Sequence, residues 1–337
     1  MKIALRADPE PAHGFQRCLA LGSGFKETSP DSEIILISNC TASQTRLIEE
    51  AGLTHLRPPA GVATAWEAEE LLEVISGSGI DLLVLDIEYD ESGMRSLKEK
   101  TVLAVFDDQA RCKKYSAHAV VNPNPNAHLL EYRTDPDTEL FLGTEFAALP
   151  ADFDRYQEFR REHPQQARHI FIHFPGKDSS GAVLRCVRAL KGLADHFSAT
   201  VMLDQDSSKG ADLATEAGLD GRFIIIQHPD HAKRLCGADI ALVPPQYLPQ
   251  VAALSVPSIL IYDRTSPLAE YAARTELALC LGPAAEPEIA SAVSRLVKDT
   301  EGRRRMSARM SELVDCMGRF RLADELLRIL KEKKQTL

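Results

Sequence analysis

Four side chains that could act on an anionic substrate lie within the first seventeen residues. An apolar strand over residues 3–5 runs into Arg6 and Asp8, and His13 and Arg17 follow around one strand-to-helix turn. In an α/β protein such a turn lies at the carboxyl end of a strand, where backbone N–H groups and a helix N-terminus bind anions. The pattern therefore predicts a binding site here, with His13 as a general base.

Each of these residues also has a structural interpretation. His13 could be a surface histidine in a short loop, and Arg6 and Asp8 could form an ion pair that only stabilises the strand end. Arg17 could brace the first loop rather than contact a substrate. The sequence leaves both interpretations open for all four residues.

Acidic and aromatic residues follow other strand-like runs. Asp107 and Asp108 could be paired carboxylates for acid–base chemistry. Because adjacent residues of a strand point to opposite faces, at most one of them should reach a site. Tyr89, three residues after Asp86, could face a ligand or be a packed tyrosine, and Asp178 could cap a helix or contact a ligand.

One histidine pair suggests a metal site. His228 and His231 flank Asp230, and imidazoles with a carboxylate are zinc ligands. No fourth ligand is evident from the spacing, so we expect no metal and no cofactor.

The elements that must position these residues are alternating strands and helices. Continuous apolar runs separated by helical patterns predict parallel sheets covered on both faces. The predicted strands are 2–6, 33–38, 81–86, 101–106, 118–122, 169–174, 199–203, 222–226, 238–243, 257–262 and 277–281. They predict an α/β fold with two doubly wound, Rossmann-like domains, over residues 1–150 and 151–285.

The remaining residues, 286–337, are predicted to be helical. Leu322, Leu326, Leu327 and Leu330 form an apolar stripe at helical spacing. We expect these C-terminal helices to pack back on the domains.

Length and composition limit the function class. The chain of 337 residues suits two domains, and its net charge of −10 argues against nucleic acid and anionic membranes as partners. Seven scattered cysteines without CxxC spacing predict neither disulfides nor a zinc knuckle. With no apolar window long enough to span a membrane and no signal-peptide pattern, we expect a cytoplasmic protein. The oligomeric state is left open.

Several segments share their order and spacing with one known family. The triplet Arg6-Ala7-Asp8 is similar to the family's opening Arg-x-Asp, and residues 106–111 are similar to its Asp-Asp-x-x-x-Arg segment. Residues 142–149 resemble its Leu-Gly-x-x-Tyr-x-Leu-Leu segment, and residues 255–258 resemble its Leu-Gly-Val-Pro turn. The chain thus resembles the PseG family, the UDP-2,4-diacetamido-2,4,6-trideoxy-altrose hydrolases of pseudaminic acid synthesis, and its SpsG-like relatives.

The resemblance implies a GT-B fold related to MurG, with two Rossmann-like domains facing a cleft and C-terminal helices bridging them. It implies hydrolysis or transfer at the anomeric carbon of a nucleotide sugar, most often UDP-linked, in surface glycan or nonulosonic acid biosynthesis. Asp8, His13 and Tyr89 would be the catalytic residues. The implied substrate-binding residues are Arg6, Gly14, Arg17, Gly176, Asp178, His228, Gln246 and Gln250.

Three departures from the family pattern keep other functions open. The family's histidine, three residues before the arginine, is Gly14 here, and His13 lies one residue earlier. The family's glutamate near the late proline is Gln250, and Pro244 and Pro245 replace small residues that offer backbone N–H groups. The alternatives are a glycosyltransferase with an altered donor pocket and a degenerate GT-B protein that binds without turnover.

Overall fold

The structure, a computed structural model, divides into two compact units. It describes residues 1–8, 12–57, 68–87, 89–176, 180–193, 197–204, 207, 210–217, 220–227 and 230–336. One unit comprises Met1–Ala151 and Cys316–Leu337, and the other comprises Asp152–Asp315.

The first unit contains a seven-stranded parallel sheet in the order β3-β2-β1-β4-β5-β6-β7. Its strands are β1 (Lys2–Ala7), β2 (Glu33–Ile37), β3 (Thr54–Leu56), β4 (Leu82–Asp86), β5 (Val102–Phe106), β6 (Ala119–Asn122) and β7 (Glu139–Leu142). The sequence predicted five of them and missed β3 and β7. These two strands are short and form the edges of the sheet, so they lack the continuous apolar run of a strand buried on both faces.

The second unit contains a six-stranded parallel sheet in the order β10-β9-β8-β11-β12-β13. Its strands are β8 (His169–His173), β9 (Ser198–Met202), β10 (Phe223–Ile226), β11 (Ile240–Val243), β12 (Ser258–Ile261) and β13 (Leu279–Leu281). All six match predicted strands within about two residues, so this part of the prediction is confirmed.

Helices separate most of the strands in both units. The first four are α1 (Ala12–Thr28), α2 (Ala42–Glu50), α3 (Ala68–Ser78) and α4 (Glu91–Lys98). The second unit contains α5 (Ser180–Lys191), α6 (Gly210–Ala217), α7 (His231–Cys236), α8 (Leu248–Ala253), α9 (Pro267–Arg274), α10 (Glu286–Lys298) and α11 (Thr300–Met310), and α12 (Gly318–Thr336) returns to the first.

Strand alternation divides the core of the first unit into two layers. On β1, Ile3 and Leu5 belong to a cluster with α1 and α12, whereas Ala4 belongs to a cluster with α3 and α4. Successive strand residues point to opposite faces. The parity of a residue near a strand end, meaning whether it lies an odd or an even number of positions from a given strand residue, therefore decides which layer it faces.

The last helix, α12, is part of the first core. Leu322 and Leu326 are fully buried beside residues of α1, and each such burial contributes about 1.5–3 kcal/mol. The two helices approach closely at Gly24, where an added Cβ would lie 2.7 Å from the carbonyl oxygen of Arg319. The contact therefore requires glycine at position 24.

Within the described part of the chain, no helix is long and apolar enough to cross a membrane.

Candidate functional site

Two carboxylates from neighbouring strands meet on the α1 face of the first sheet. Asp86 ends β4 and has the same parity as Leu82 and Val84, which pack in the α1 layer. Asp108 follows the end of β5 and has the same parity as Phe106, another residue of that layer.

Arg17 of α1 binds both carboxylates. Its Nε and Nη2 donate to the two oxygens of Asp86 at 2.7 and 2.6 Å, and Nη1 donates to those of Asp108 at 2.9 and 3.1 Å. The guanidinium carbon also lies 4.2 Å from the centre of the Phe106 ring. Such bidentate pairing fixes the orientation of the side chains in addition to neutralising their charges. Arg17 thus joins the ends of β4 and β5 to the first helix.

The charges of this cluster stabilise one another. Burial opposes the charged form of Arg17, but the carboxylates of Asp108 and Asp86 raise its pKa. Burial also opposes ionisation of Asp108, yet Arg17 and then His13 hold the pKa of its carboxyl below the ordinary value. Both groups are therefore charged at neutral pH.

His13 lies beside this ionised pair. The structure corrects the predicted loop position, because α1 begins at Ala12 and His13 is in its first turn. Its Nε2 is 3.8 Å from Oδ2 of Asp108, and its side chain is 28% exposed. Burial, reinforced by the charge of Arg17, lowers the pKa of His13. A neutral imidazole results, which can accept a proton, and the Asp108 carboxylate then stabilises the imidazolium.

Gly14 occupies a tight position between α1 and β4. An added Cβ would lie 3.2 Å from Cγ and 3.3 Å from the backbone oxygen of Asp86. A larger residue at this position would therefore require Asp86 or the first turn of α1 to shift by a few tenths of an ångström.

Arg6 and Asp8 pair with each other, as one of the two interpretations had it. Arg6 has the parity of Ala4 and so faces the α3 and α4 layer. Its side chain is 1% exposed, and Nη1 lies 2.6 Å from Oδ1 of Asp8. The four residues with which the sequence analysis began are thus divided, with Arg6 on one face and Arg17 on the other.

Tyr89 packs against the α3 and α4 layer, the layer that Arg6 faces. Its backbone oxygen accepts a hydrogen bond from Sγ of Cys112 at 3.4 Å.

Asp107 and Asp108 point in opposite directions, as predicted. Asp107 is buried and accepts hydrogen bonds from Tyr115 Oη at 2.5 Å and from the backbone N–H groups of Gln109 and Arg111, each at 2.9 Å. Burial raises the pKa of Tyr115, and the bond to Asp107 raises it further, so the phenol remains the donor. Asp107 therefore stabilises the loop that follows β5, whereas Asp108 lies with Arg17 and His13.

Sequence reasoning did not assign Asp86 to the site, and it left open whether Asp107 or Asp108 reaches it. The sequence did contain a signal for Asp86 and Asp108, since each lies an even number of residues after an apolar strand residue of the α1 layer and should point to the same face. What the sequence lacks is the order of the strands, which makes β4 and β5 neighbours.

In the second unit, the predicted ligand residues lie at the carboxyl ends of β8 and β11. Gly176 has a φ of 104°, and its N–H donates to Asp204 at 2.7 Å. Gln246 is exposed in the 3₁₀ turn Pro245–Tyr247. Gln250 in α8 has a buried Oε1 for which the described residues provide no hydrogen-bond donor.

The other two predicted residues of this unit, Asp178 and His228, lie outside the described residues. His231 is described, and its Nδ1 lies 3.0 Å from the hydroxyl of Tyr247. Among the residues that the structure describes, no group of three or more His, Cys, Asp or Glu side chains is arranged to hold a metal ion.

Comparison with known proteins identifies the fold. No protein-family model and no curated protein matches the sequence. Staphylococcus aureus MnaA, in a structure with UDP, has a TM-score of 0.71 at 13% identity, and the match covers 98% of this chain and 97% of that one. Acinetobacter baumannii MurG has a TM-score of 0.64 at 13% identity, covering 97% and 100%. A Rickettsia africae glycosyltransferase has a TM-score of 0.61 at 12% identity, covering 98% of both.

The chain therefore has the GT-B fold, with two parallel Rossmann-like sheets and C-terminal helices, and this prediction is confirmed. At such low identity the comparisons establish the fold and no specific family.

Proposed function

We propose that the chain is an enzyme that acts at the anomeric carbon of a nucleotide sugar, most simply a UDP-sugar, by hydrolysis or glycosyl transfer. The observation that carries the proposal is the neutral His13 beside the ionised Asp108 at the carboxyl edge of the first sheet. The GT-B fold supports it, since MurG and the Rickettsia glycosyltransferase share this fold and the MnaA structure holds UDP.

In the proposed reaction, Nε2 of His13 removes a proton from water or from an acceptor hydroxyl. The oxygen forms a bond to the anomeric carbon, and the bond from that carbon to the diphosphate oxygen breaks, so the diphosphate leaves with the electron pair. Asp108 stabilises the imidazolium that forms, and Arg17 holds Asp108 in place. Helix N-termini and backbone amides are sufficient in principle to stabilise the departing diphosphate, so the proposal invokes no metal.

The nucleotide is assigned to the second unit. The buried Oε1 of Gln250 lacks a donor in the described structure, and a ribose hydroxyl would supply one. Gln246 is exposed nearby in sequence and can donate to a phosphate or a base. Asp178 and His228 remain predicted contacts. On the sugar side, Asp8 and Tyr89 remain predicted catalytic residues and Arg6 a predicted contact, but Arg6 and Tyr89 face the α3 and α4 layer and not His13. The resemblance to the PseG family supports a role in surface glycan or nonulosonic acid biosynthesis.

A second candidate is a GT-B protein that binds a nucleotide sugar without turnover. Two observations favour it. The N–H of Gly176 is already bonded to Asp204, and Pro244 and Pro245 have no N–H groups to offer a diphosphate.

Nucleotide binding tests both candidates. Thermal shift with UDP, CMP, GDP and ADP should show stabilisation by one nucleotide, most simply UDP. If none of the four stabilises the protein, both candidates are wrong.

Turnover then separates the enzyme from the binding protein. We expect UDP release from candidate UDP-sugars, reduced about 10²–10⁴-fold in His13→Gln, while the nucleotide thermal shift is retained. The control is His128→Gln, since His128 is an exposed histidine of the same unit. A thermal shift without turnover in the unmodified protein would establish the binding protein, and unchanged release in His13→Gln would remove His13 from the mechanism.

A further inference from the structure

The loop after β8 lies where the second sheet reverses its strand order. β9 and β10 lie on one side of β8, and β11, β12 and β13 lie on the other. In open parallel sheets, ligands bind outside the carboxyl ends of the strands at such a reversal. Gly176 follows the end of β8, and its φ of 104° is in the region that favours glycine. The loop that contains Gly176 is therefore the expected place for a ligand of the second unit.

Buried acceptors lie on both strands that flank the reversal. His173 ends β8 and is fully buried, and its Nδ1 lies 3.1 Å from the backbone oxygen of Met202. Nδ1 therefore carries the proton, and Nε2 is an acceptor. On the other side, Gln250 with its buried Oε1 lies in α8, which follows β11. The described residues provide no hydrogen-bond donor to either atom, so both can accept from a ligand.

The side chain of Asp204 already binds the backbone of this loop. Asp204 follows β9, and its Oδ2 accepts from the N–H of Gly176 at 2.7 Å. The backbone of Asp204 is itself fixed, because its carbonyl oxygen accepts from the N–H of Ser207 at 2.9 Å and from Nε2 of Gln227 at 3.3 Å. A carboxylate oxygen on a backbone N–H makes a charge-assisted hydrogen bond. A phosphate oxygen would make the same bond with the same N–H.

The carboxylate and a phosphate cannot share this N–H group. Both are anions, and two like charges within hydrogen-bonding distance of one donor repel each other, the more so because Asp204 is half-buried. Since hydrogen bonds hold the backbone of Asp204, rotation of its side chain is the simplest movement that releases the N–H. Phosphate binding at Gly176 therefore requires the carboxylate to turn away.

We propose that Asp204 is an inhibitory residue, which competes with the phosphate groups of the ligand for the N–H of Gly176. The proposal rests on the proposed function in taking a nucleoside diphosphate as that ligand. Inorganic pyrophosphate makes few other contacts, so it displaces the carboxylate poorly. A nucleotide can also donate hydrogen bonds to His173 and Gln250, which offsets the loss of the contact between Asp204 and Gly176. The contact thus favours nucleotides over small anions.

Binding of inorganic pyrophosphate to Asp204 variants tests the proposal. In isothermal titration calorimetry at constant ionic strength, Asp204→Ala should bind pyrophosphate about tenfold or more tightly than the unmodified chain. Asp204→Asn should show a smaller gain, because its neutral amide oxygen can still accept from Gly176. The matched control is Asp220→Asn, which removes the same charge from a carboxylate of the second unit that is paired with Arg222. Its affinity should change by less than about twofold.

The amide resonance of Gly176 reports on the contact itself. In NMR spectra of the isotope-labelled chain, Asp204→Ala should move the amide proton of Gly176 upfield, since the charge-assisted hydrogen bond is lost. Pyrophosphate should return this resonance downfield in Asp204→Ala. At the same concentration it should leave the resonance of the unmodified chain nearly unchanged.

Two results would overturn the proposal. One is a pyrophosphate affinity that rises no more in Asp204→Ala and Asp204→Asn than in Asp220→Asn. The other is pyrophosphate binding that leaves the Gly176 resonance of Asp204→Ala unmoved.

Titration with UDP separates this proposal from the proposed function. Equal UDP affinity in the unmodified chain and in Asp204→Ala would contradict the role of Asp204 and leave the nucleotide assignment intact. If pyrophosphate behaves as expected but UDP, CMP, GDP and ADP bind neither protein, the role of Asp204 is supported and the nucleotide assignment is wrong.

Discussion

Replacing Arg17 with methionine tests whether one guanidinium holds two strand ends to the first helix. Methionine retains an apolar side chain beside Phe106 but removes all four hydrogen bonds to Asp86 and Asp108. The side chains of Asp86 and Asp108 are only 9% and 23% exposed, so both carboxylates lose their counter-charge in a partly dehydrated environment.

The expected cost follows from that burial. Removing one partner of a buried ion pair costs about 3–5 kcal/mol, because the remaining charge is left uncompensated. Asp108 can recover some water, so we expect Arg17→Met to lower the free energy of unfolding by about 3 kcal/mol. Adding Asp86→Asn removes one of the stranded charges, so the double variant should lose less than the sum of the two single variants, by about 1–3 kcal/mol.

Urea unfolding followed by circular dichroism measures these changes, and hydrogen exchange of the β1 and β4 amides assigns the transition to the first unit. Arg133→Met is the control, because Arg133 is 75% exposed and its ion pair with Glu131 should contribute less than about 1 kcal/mol. If Arg17→Met is no more destabilising than Arg133→Met, the bracing role is wrong.

The same variant has a second, independent readout at His13. Burial is the largest cause of the low pKa of His13, and Arg17 lowers it further, whereas Asp108 and Asp86 raise it. Without Arg17 the two carboxylates are opposed only by burial and by the more weakly acting Arg111, so the pKa of His13 should rise. An NMR titration of the imidazole measures this change, and a fall in the pKa would refute the electrostatic account.

Two further predictions concern packing and pH. Gly24→Ala should destabilise the chain by about 1–3 kcal/mol, because the added Cβ would meet the backbone of Arg319. The control is Gly77→Ala, in open space on α3, which should be neutral or stabilise the chain by up to about 1 kcal/mol. Thermal unfolding compares the two variants. Burial, aided by nearby lysines, lowers the pKa of His118 to about 4, and its Nδ1 accepts from the N–H of Leu103. Between pH 6.5 and about 4 the unfolded chain therefore binds one more proton than the folded chain. The free energy of unfolding thus decreases as the pH is lowered, by at most about 1.4 kcal/mol per pH unit. His118→Gln should reduce that slope in urea titrations. An unchanged slope would contradict the assignment to His118.

The central strands were predictable because burial on both faces leaves a plain pattern in the sequence. β1, β4 and β5 in the first unit and β8, β9, β11 and β12 in the second are short, buried apolar runs of this kind. The edge strands β10 and β13 were also predicted, because their residues are apolar although they are partly exposed. β3 and β7 are edge strands, where Thr54 and Glu139 begin runs that are only partly apolar. A strand that is partly exposed needs fewer apolar residues, and the pattern that identifies it disappears.

The site was predictable in its residue types but not in its partners. His13 and Arg17 were identified from their place after the first strand, yet the carboxylates that bind Arg17 lie 69 and 91 residues away in sequence. Their proximity depends on the sheet order β1-β4-β5, which follows from tertiary packing and is not encoded in local spacing. Parity near a strand end tells which face a carboxylate takes, but only the strand order tells which arginine it meets.

The one-residue displacement of the histidine from the PseG-like pattern has a physical explanation in this geometry. A side chain at position 14 would press on Asp86, since even a Cβ there would be 3.2 Å from the carboxyl carbon. Glycine at that position leaves room for the Asp86 carboxylate to accept hydrogen bonds from Nε and Nη2 of Arg17 through both of its oxygens. Position 13 is rotated by about 100° around the helix axis from position 14. The imidazole of His13 therefore lies beside Asp108, the other carboxylate that Arg17 binds. Gly14, Arg17 and His13 are therefore one arrangement, in which Asp86 positions the arginine and Asp108 remains available to the histidine.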